Sequence, residues 1–167
     1  MRYNAKQKGI YMLNIVVLDA QGGGLGAAIV KKLAEKCGAR ARVTALGTNK
    51  RATGAMKKSG ADAFATGENA ICGKVSSADV IIGGIGIIAA YSMLGEITPR
   101  IAKAVSQSNA KKILIPISKC NYYIPGAEGI GITGLIEAAA DYVCSLFEND
   151  ITNCPTDGGN AHTEAAP

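Results

Sequence analysis

The chain is poor in the residues that usually announce ready-made chemistry. It has one histidine, His162, close to its C-terminus and outside any periodic segment, so it is a poor general base. Its five cysteines, Cys37, Cys72, Cys120, Cys144 and Cys154, are widely spaced, odd in number and without a Cys-x-x-Cys pair. That pattern argues against a disulfide scaffold or a zinc site and suits a reducing cytoplasm. No metal site is expected. The longest apolar stretches, near Gly83 to Ala90, fall well short of the roughly 20 residues of a membrane span, so no membrane partner is expected. Arg2, Lys6 and Lys8 near the start are followed by no long apolar run, and no secretory leader is expected. No nucleic-acid recognition module, arginine-rich arm or basic–aromatic interleaving is present, so nucleic acid is not an expected partner.

Base is also missing from one end. Residues 1–120 hold all 18 lysines and arginines against 6 acids, a balance of +12, whereas residues 121–167 hold 7 acids and no base. A basic body suits a phosphorylated small molecule or an acidic partner surface. At 167 residues, 48% of them hydrophobic, the chain can build one core and little more.

What is present is alternation. Continuous apolar runs at Leu13–Leu18, Arg42–Leu46, Asp79–Ile82 and Lys112–Ile117, with a weaker one at Ala61–Phe64, read as strands. Between them lie segments with helical periodicity. Ile29, Leu33 and Cys37 recur every four residues up to Gly38, a C-cap residue; Ala52 to Lys58 and a segment through Cys72 and Val75 follow. Thr98-Pro99 opens another helix with an N-cap residue and a proline at its first position. The last helix is expected over Leu135–Phe147. Apolar strands alternating with amphipathic helices predict an α/β fold, a three-layer Rossmann-like domain with a mainly parallel sheet of about five strands. The expected organisation is a basic extension over 1–11, the domain over 12–148 and a disordered polar tail over 149–167.

The glycines carry the strongest functional signal. Asp19-Ala20-Gln21-Gly22-Gly23-Gly24-Leu25-Gly26-Ala27 joins the first strand to the first helix. Gly22-x-Gly24-x-x-Ala27 fits the dinucleotide pattern in the strand–turn–helix setting that it requires. Gly22, Gly23, Gly24 and Gly26 are therefore expected to present bare amides to phosphate. The acid that usually accepts ribose hydroxyls after the second strand is missing; Asn49, Lys50 and Arg51 stand there and would welcome a 2′-phosphate. The expected cofactor is NADP, or otherwise another nucleotide. Gly84 and Gly86, after the fourth strand, would flank the inner part of the ligand across the crevice at the strands' carboxyl ends. Glu68 could accept a proton, or be an ordinary acid at a helix start. Lys119 and Cys120, after the fifth strand, could hold an anion and supply a thiol made more acidic by nearby positive charge. No Walker A lysine is present, since Gly26-Ala27-Ala28 replaces Gly-Lys-Ser/Thr.

Asp-Ala-Gln-Gly-Gly-Gly at 19–24, Ala-Leu-Gly-Thr-Asn at 45–49 and Ala-Thr-Gly-Glu-Asn-Ala at 65–70 stand together with two further blocks. These are Ser-Met-Leu-Gly-Glu-Ile-Thr-Pro at 92–99 and Ile-Leu-Ile-Pro-Ile-Ser-Lys-Cys-Asn at 113–121. The combination resembles a small bacterial family, the domain of unknown function DUF3842, over about residues 12–147. That resemblance implies a compact cytoplasmic domain and assigns no catalytic residue. The opening segment is also similar to short-chain dehydrogenases, but their Tyr-x-x-x-Lys pair is absent, Tyr91 being followed by Gly95. The leading expectation is a nucleotide- or dinucleotide-binding protein. Two others stand beside it: a small reductase or phosphate-group transferase using the Lys119-Cys120 loop, and a non-enzymatic nucleotide-responsive homodimer or higher homo-oligomer.

Overall fold

In a computed structural model, residues 12–117, 122–127 and 129–152 are described. The strands are β1 (Leu13–Asp19), β2 (Ala41–Gly47), β3 (Ala63–Thr66), β4 (Val80–Gly84) and β5 (Lys111–Ile115). The helices are α1 (Gly24–Cys37), α2 (Lys50–Lys58), α3 (Glu68–Lys74), α4 (Pro99–Gln107) and α5 (Ile132–Thr152). The five strands form one sheet in the order β3-β2-β1-β4-β5, every neighbouring pair parallel. The expected α/β Rossmann-like architecture is the observed one.

Successive residues of a strand face opposite sides of its sheet, and β1 divides its side chains accordingly. Ile15 and Val17 enter a core made with α1, α2 and α5, including Ile29, Leu33, Met56 and Val143. Val16 and Leu18 enter a second core with Ile71 of α3 and with Ile101 and Val105 of α4. Burial on both faces explains why the central strands are apolar without interruption. From β1 the chain winds outward through β2 and β3, then crosses back to β4 on the other side of β1. Loops leaving the carboxyl ends of β1 and β4 therefore diverge and leave a crevice between them.

Local chemistry sets the helix starts. Asn49 caps α2, its Oδ1 accepting from the Ala52 amide at 2.9 Å. Thr98 caps α4 through an Ile101 amide contact of 3.2 Å, with Pro99 in the first turn. Several boundaries differ from expectation: β3 spans Ala63–Thr66 rather than Ala61–Phe64, β4 takes in Gly83 and Gly84, and α2 begins at Lys50. β5 stops at Ile115 rather than Ile117, because Pro116 has no amide to give to a ladder. α5 starts at Ile132 and continues to Thr152; Glu148, Asn149 and Asp150 break the apolar period, but none of them breaks a helix. No helix among the described residues is long and apolar enough to cross a membrane.

Candidate functional site

The turn between β1 and α1 is built around one carboxylate. Asp19, buried at the end of β1, accepts from the Ala20 amide at 2.8 Å and from the Gly26 amide at 2.6 Å. One side chain thus ties both ends of the glycine turn. Burial pushes the Asp19 carboxyl above its ordinary value; the two amides work against that shift, and the charge of Glu96 adds to it. Gly23 sits at the helix N-cap with φ 71°, in the left-handed region. A β-carbon there would lie 2.6 Å from the Ala52 backbone, so conformation and space both demand glycine.

A helix leaves its first four amides without internal acceptors. In α1, Ala27 bonds to the Gly23 carbonyl at 2.9 Å and Gly26 to Asp19. Among the described residues the amides of Gly24 and Leu25, and that of Gly22 in the turn, have no such partner. No side chain caps this helix, and its first turn has no acid. Gly22 and Gly24 are exposed, and β-carbons on them would meet nothing within 4 Å.

These amides open onto a cleft of about 1240 Å³. Its floor is Asp19 to Leu25, one wall is Ala90 to Leu94, and the other is Pro116, Ile117 and parts of 122–136. It therefore lies over β1, β4 and β5. The Ala90–Leu94 wall holds three non-glycine residues at positive φ: Tyr91 (66°), Met93 (53°) and Leu94 (61°). Left-handed backbone costs a branched or bulky residue about 1–2 kcal/mol. Two of these side chains are also pushed into solvent, Tyr91 being 74% and Leu94 92% exposed. Strain combined with exposed apolar surface at a cleft mouth is the arrangement expected of a ligand wall.

The β2 side is closed differently. Glu96 Oε2 accepts from the Gln21 amide at 3.1 Å, from Asn49 Nδ2 at 2.7 Å and from the Thr48 hydroxyl. Asn49 Nδ2 also reaches the Gln21 carbonyl at 3.1 Å. Burial alone would raise the Glu96 carboxyl, but the three hydrogen bonds outweigh it and hold the group below its ordinary value. A charged carboxylate therefore bridges the glycine turn, the end of β2 and the segment before α4.

The residues singled out from sequence separate into groups. Gly22, Gly23 and Gly24 line the cleft; Gly26 is buried, with its amide held by Asp19. Gly84 packs under the wall, where a β-carbon would approach Ile117 at 3.0 Å and Leu25 at 3.2 Å. Gly86 is buried in a short 3-10 turn, and its carbonyl accepts from the Ser92 hydroxyl. Neither lines the cleft, and nor do Asn49, Lys50, Arg51 or Glu68. Asn49 is engaged in capping, and Lys50 and Arg51 are exposed on α2. Glu68 pairs with the Thr98 hydroxyl and with Arg100 at 3.0 Å, and these bonds hold its carboxyl below the ordinary range. Lys119 and Cys120 lie outside the described residues. Sequence reasoning missed Glu96 and the Tyr91–Leu94 wall. The sequence marks Met93, Leu94 and Glu96 only as part of the block Ser-Met-Leu-Gly-Glu-Ile-Thr-Pro at 92–99, whose residues before Thr98 fit no period.

Fold and cleft define a doubly wound, Rossmann-like α/β protein with an open crevice at the point where strand order reverses. The chain belongs to the family described as domain of unknown function DUF3842, whose model matches residues 14–148. No curated protein matches the sequence. Among solved structures it is similar to a dodecameric FMN-dependent UbiX-like decarboxylase from Escherichia coli O157:H7. The identity is 15%, over 81% of this chain and 95% of that one, with a TM-score of 0.48. It is also similar to a dipicolinate synthase polypeptide from Bacillus halodurans, at 16% identity over 86% of this chain and 49% of that one, with a TM-score of 0.41. An NAD+-bound xylitol dehydrogenase matches at 17% identity over 84% and 64% of the two chains, with a TM-score of 0.39.

Proposed function

We propose that this protein binds a phosphorylated nucleotide in the cleft over β1, β4 and β5. Its phosphate sits on the amides of Gly22, Gly24 and Leu25, and its planar, apolar part lies along Tyr91, Met93 and Leu94. One observation carries this reading: amide donors with no acceptor among the described residues face a cleft of about 1240 Å³, and such donors at a helix start favour an anion. A mononucleotide fits better than NADP. The cleft takes no lining from the end of β2, where Asn49 is engaged and the Glu96 charge opposes a 2′-phosphate. The cysteine usage noted above supports a cytoplasmic placement.

The test is calorimetric titration with AMP, ATP, flavin mononucleotide, NAD and NADP, with inorganic phosphate as a control. A mononucleotide should bind more tightly than inorganic phosphate and than NADP. Gly24→Asp should abolish that binding while leaving the fold intact or slightly more stable, because an acid in the first helical turn offsets the helix dipole by about 0.3–1 kcal/mol. Failure of every nucleotide to bind the folded protein overturns the proposal.

A second reading, an enzyme using Lys119 and Cys120, draws on one observation. Ile117 and Tyr122, which flank that loop, both line the cleft. Turnover of a bound nucleotide that disappears in Lys119→Ala and Cys120→Ser, with binding retained, would favour it.

A further inference from the structure

Below the cleft, α1 and α5 bring together two thiols that the nucleotide site does not use. Cys37 is the last residue of α1 and Cys144 lies within α5, 107 positions further along, and their sulfurs are 3.3 Å apart. The contacts around them keep nearly the same offset. Lys32 pairs with Glu137 at 3.0 Å, Lys36 with Asp141, and the Arg40 guanidinium stands 4.8 Å from the Phe147 ring centre. The helices therefore run parallel, with charged and aromatic contacts on either side of the sulfur pair. The closeness of the sulfurs belongs to a packed interface, in which Val143 is also fully buried.

We propose that Cys37 and Cys144 form a reversible disulfide site, closed by thiol–disulfide exchange with a small disulfide such as glutathione disulfide. The two sulfurs must approach from 3.3 Å to about 2.05 Å for the bond to form. Accessibility sets the order of events. Cys37 is buried and Cys144 only partly so. Burial, followed by the contact with Cys144, pushes the Cys37 thiol up to about 12, which makes Cys37 a poor first nucleophile. The Cys144 thiolate attacks the small disulfide, forms a mixed disulfide and expels one glutathione thiolate. Cys37 then loses its proton to water and attacks the Cys144 sulfur, and the second glutathione leaves. Two protein thiols are oxidised to one disulfide, and one glutathione disulfide is reduced to two thiols. The bond ties together the two helices whose N-terminal turns line the cleft, and it constrains the unfolded chain over most of the domain.

The experiment uses the full wild-type chain, incubated folded with glutathione disulfide, then alkylated and mapped by peptide mass. A peptide joining Cys37 to Cys144, two hydrogens lighter than the reduced pair, is expected together with a higher Tm. Alkylation of both thiols, glutathione retained on Cys144 without closure, or linkage between other cysteines would overturn the proposal. Cys37→Ser should accumulate one glutathione on Cys144, whereas Cys144→Ser should leave Cys37 unmodified; the reverse pattern refutes the order of attack. Mapping of the wild-type chain decides the matter even if a variant fails to fold.

Discussion

Gly23 and Gly24 are neighbours with opposite requirements. Gly23 holds a left-handed conformation against the Ala52 backbone, whereas Gly24 is helical and faces open space. Gly23→Ala should therefore destabilise the fold by more than about 2 kcal/mol, combining backbone strain with a clash. Gly24→Ala should stabilise it by about 0.4–1 kcal/mol through the unfolded chain. Denaturant unfolding of the two variants checks both signs. Glu96 makes a pH prediction. Its carboxyl is held below the ordinary 4.5 in the folded protein, so the unfolded chain takes up that proton first as pH falls. Its contribution is complete above 4.5 and is lost as pH drops through the folded value. Asp19, raised by burial, has the opposite sign: it favours the fold at low pH, and that gain fades as pH rises through its folded value. Tm measured against pH should fall less steeply on the acid side in Glu96→Gln than in the wild type. The same substitution should tighten phosphate ligands about 3–10-fold, since one nearby negative charge is removed at short range.

At the scale of elements, sequence and structure agree wherever a period or a cap carries the information. The apolar runs of β1, β2 and β4, the four-residue recurrence in α1 and the Thr98-Pro99 start of α4 were all legible, because burial and capping leave a regular trace. Residues 89–97 left none. Their shape comes from left-handed turns at non-glycine residues, from the Ser92 hydroxyl on the Gly86 carbonyl and from the Glu96 bridge. Local turn bonds, such as the Tyr91 amide on the Ile97 carbonyl at 2.7 Å, close the segment, whereas the partners of Glu96 are remote in sequence. Leu94 offers a direct test, being held at φ 61° with 92% exposure. Leu94→Gly should raise stability by about 0.5–1 kcal/mol by removing the strain and should weaken nucleotide binding by removing a wall. A thermal melt paired with a titration reads both effects.

Across the whole molecule, the crevice was foreseeable but its orientation was not. The glycine turn, with strands on either side of β1, implies a pocket at the reversal of strand order. The expectation that Asn49, Lys50 and Arg51 read the ligand assumed that a polar, basic loop faces it. Instead Asn49 is engaged in capping α2, and Glu96, distant in sequence, stands beside it. An acid does stand beside the end of β2, but it comes from another crossover, which no spacing rule within one strand–turn–helix unit can reveal. Glu96 also joins three stretches of chain: the glycine turn, the end of β2 and the approach to α4. A disturbance at any one of them is therefore shared by the others. Changes at Thr48, which does not line the cleft, should thus register in how long an occupant stays, altering dissociation rate more than capture.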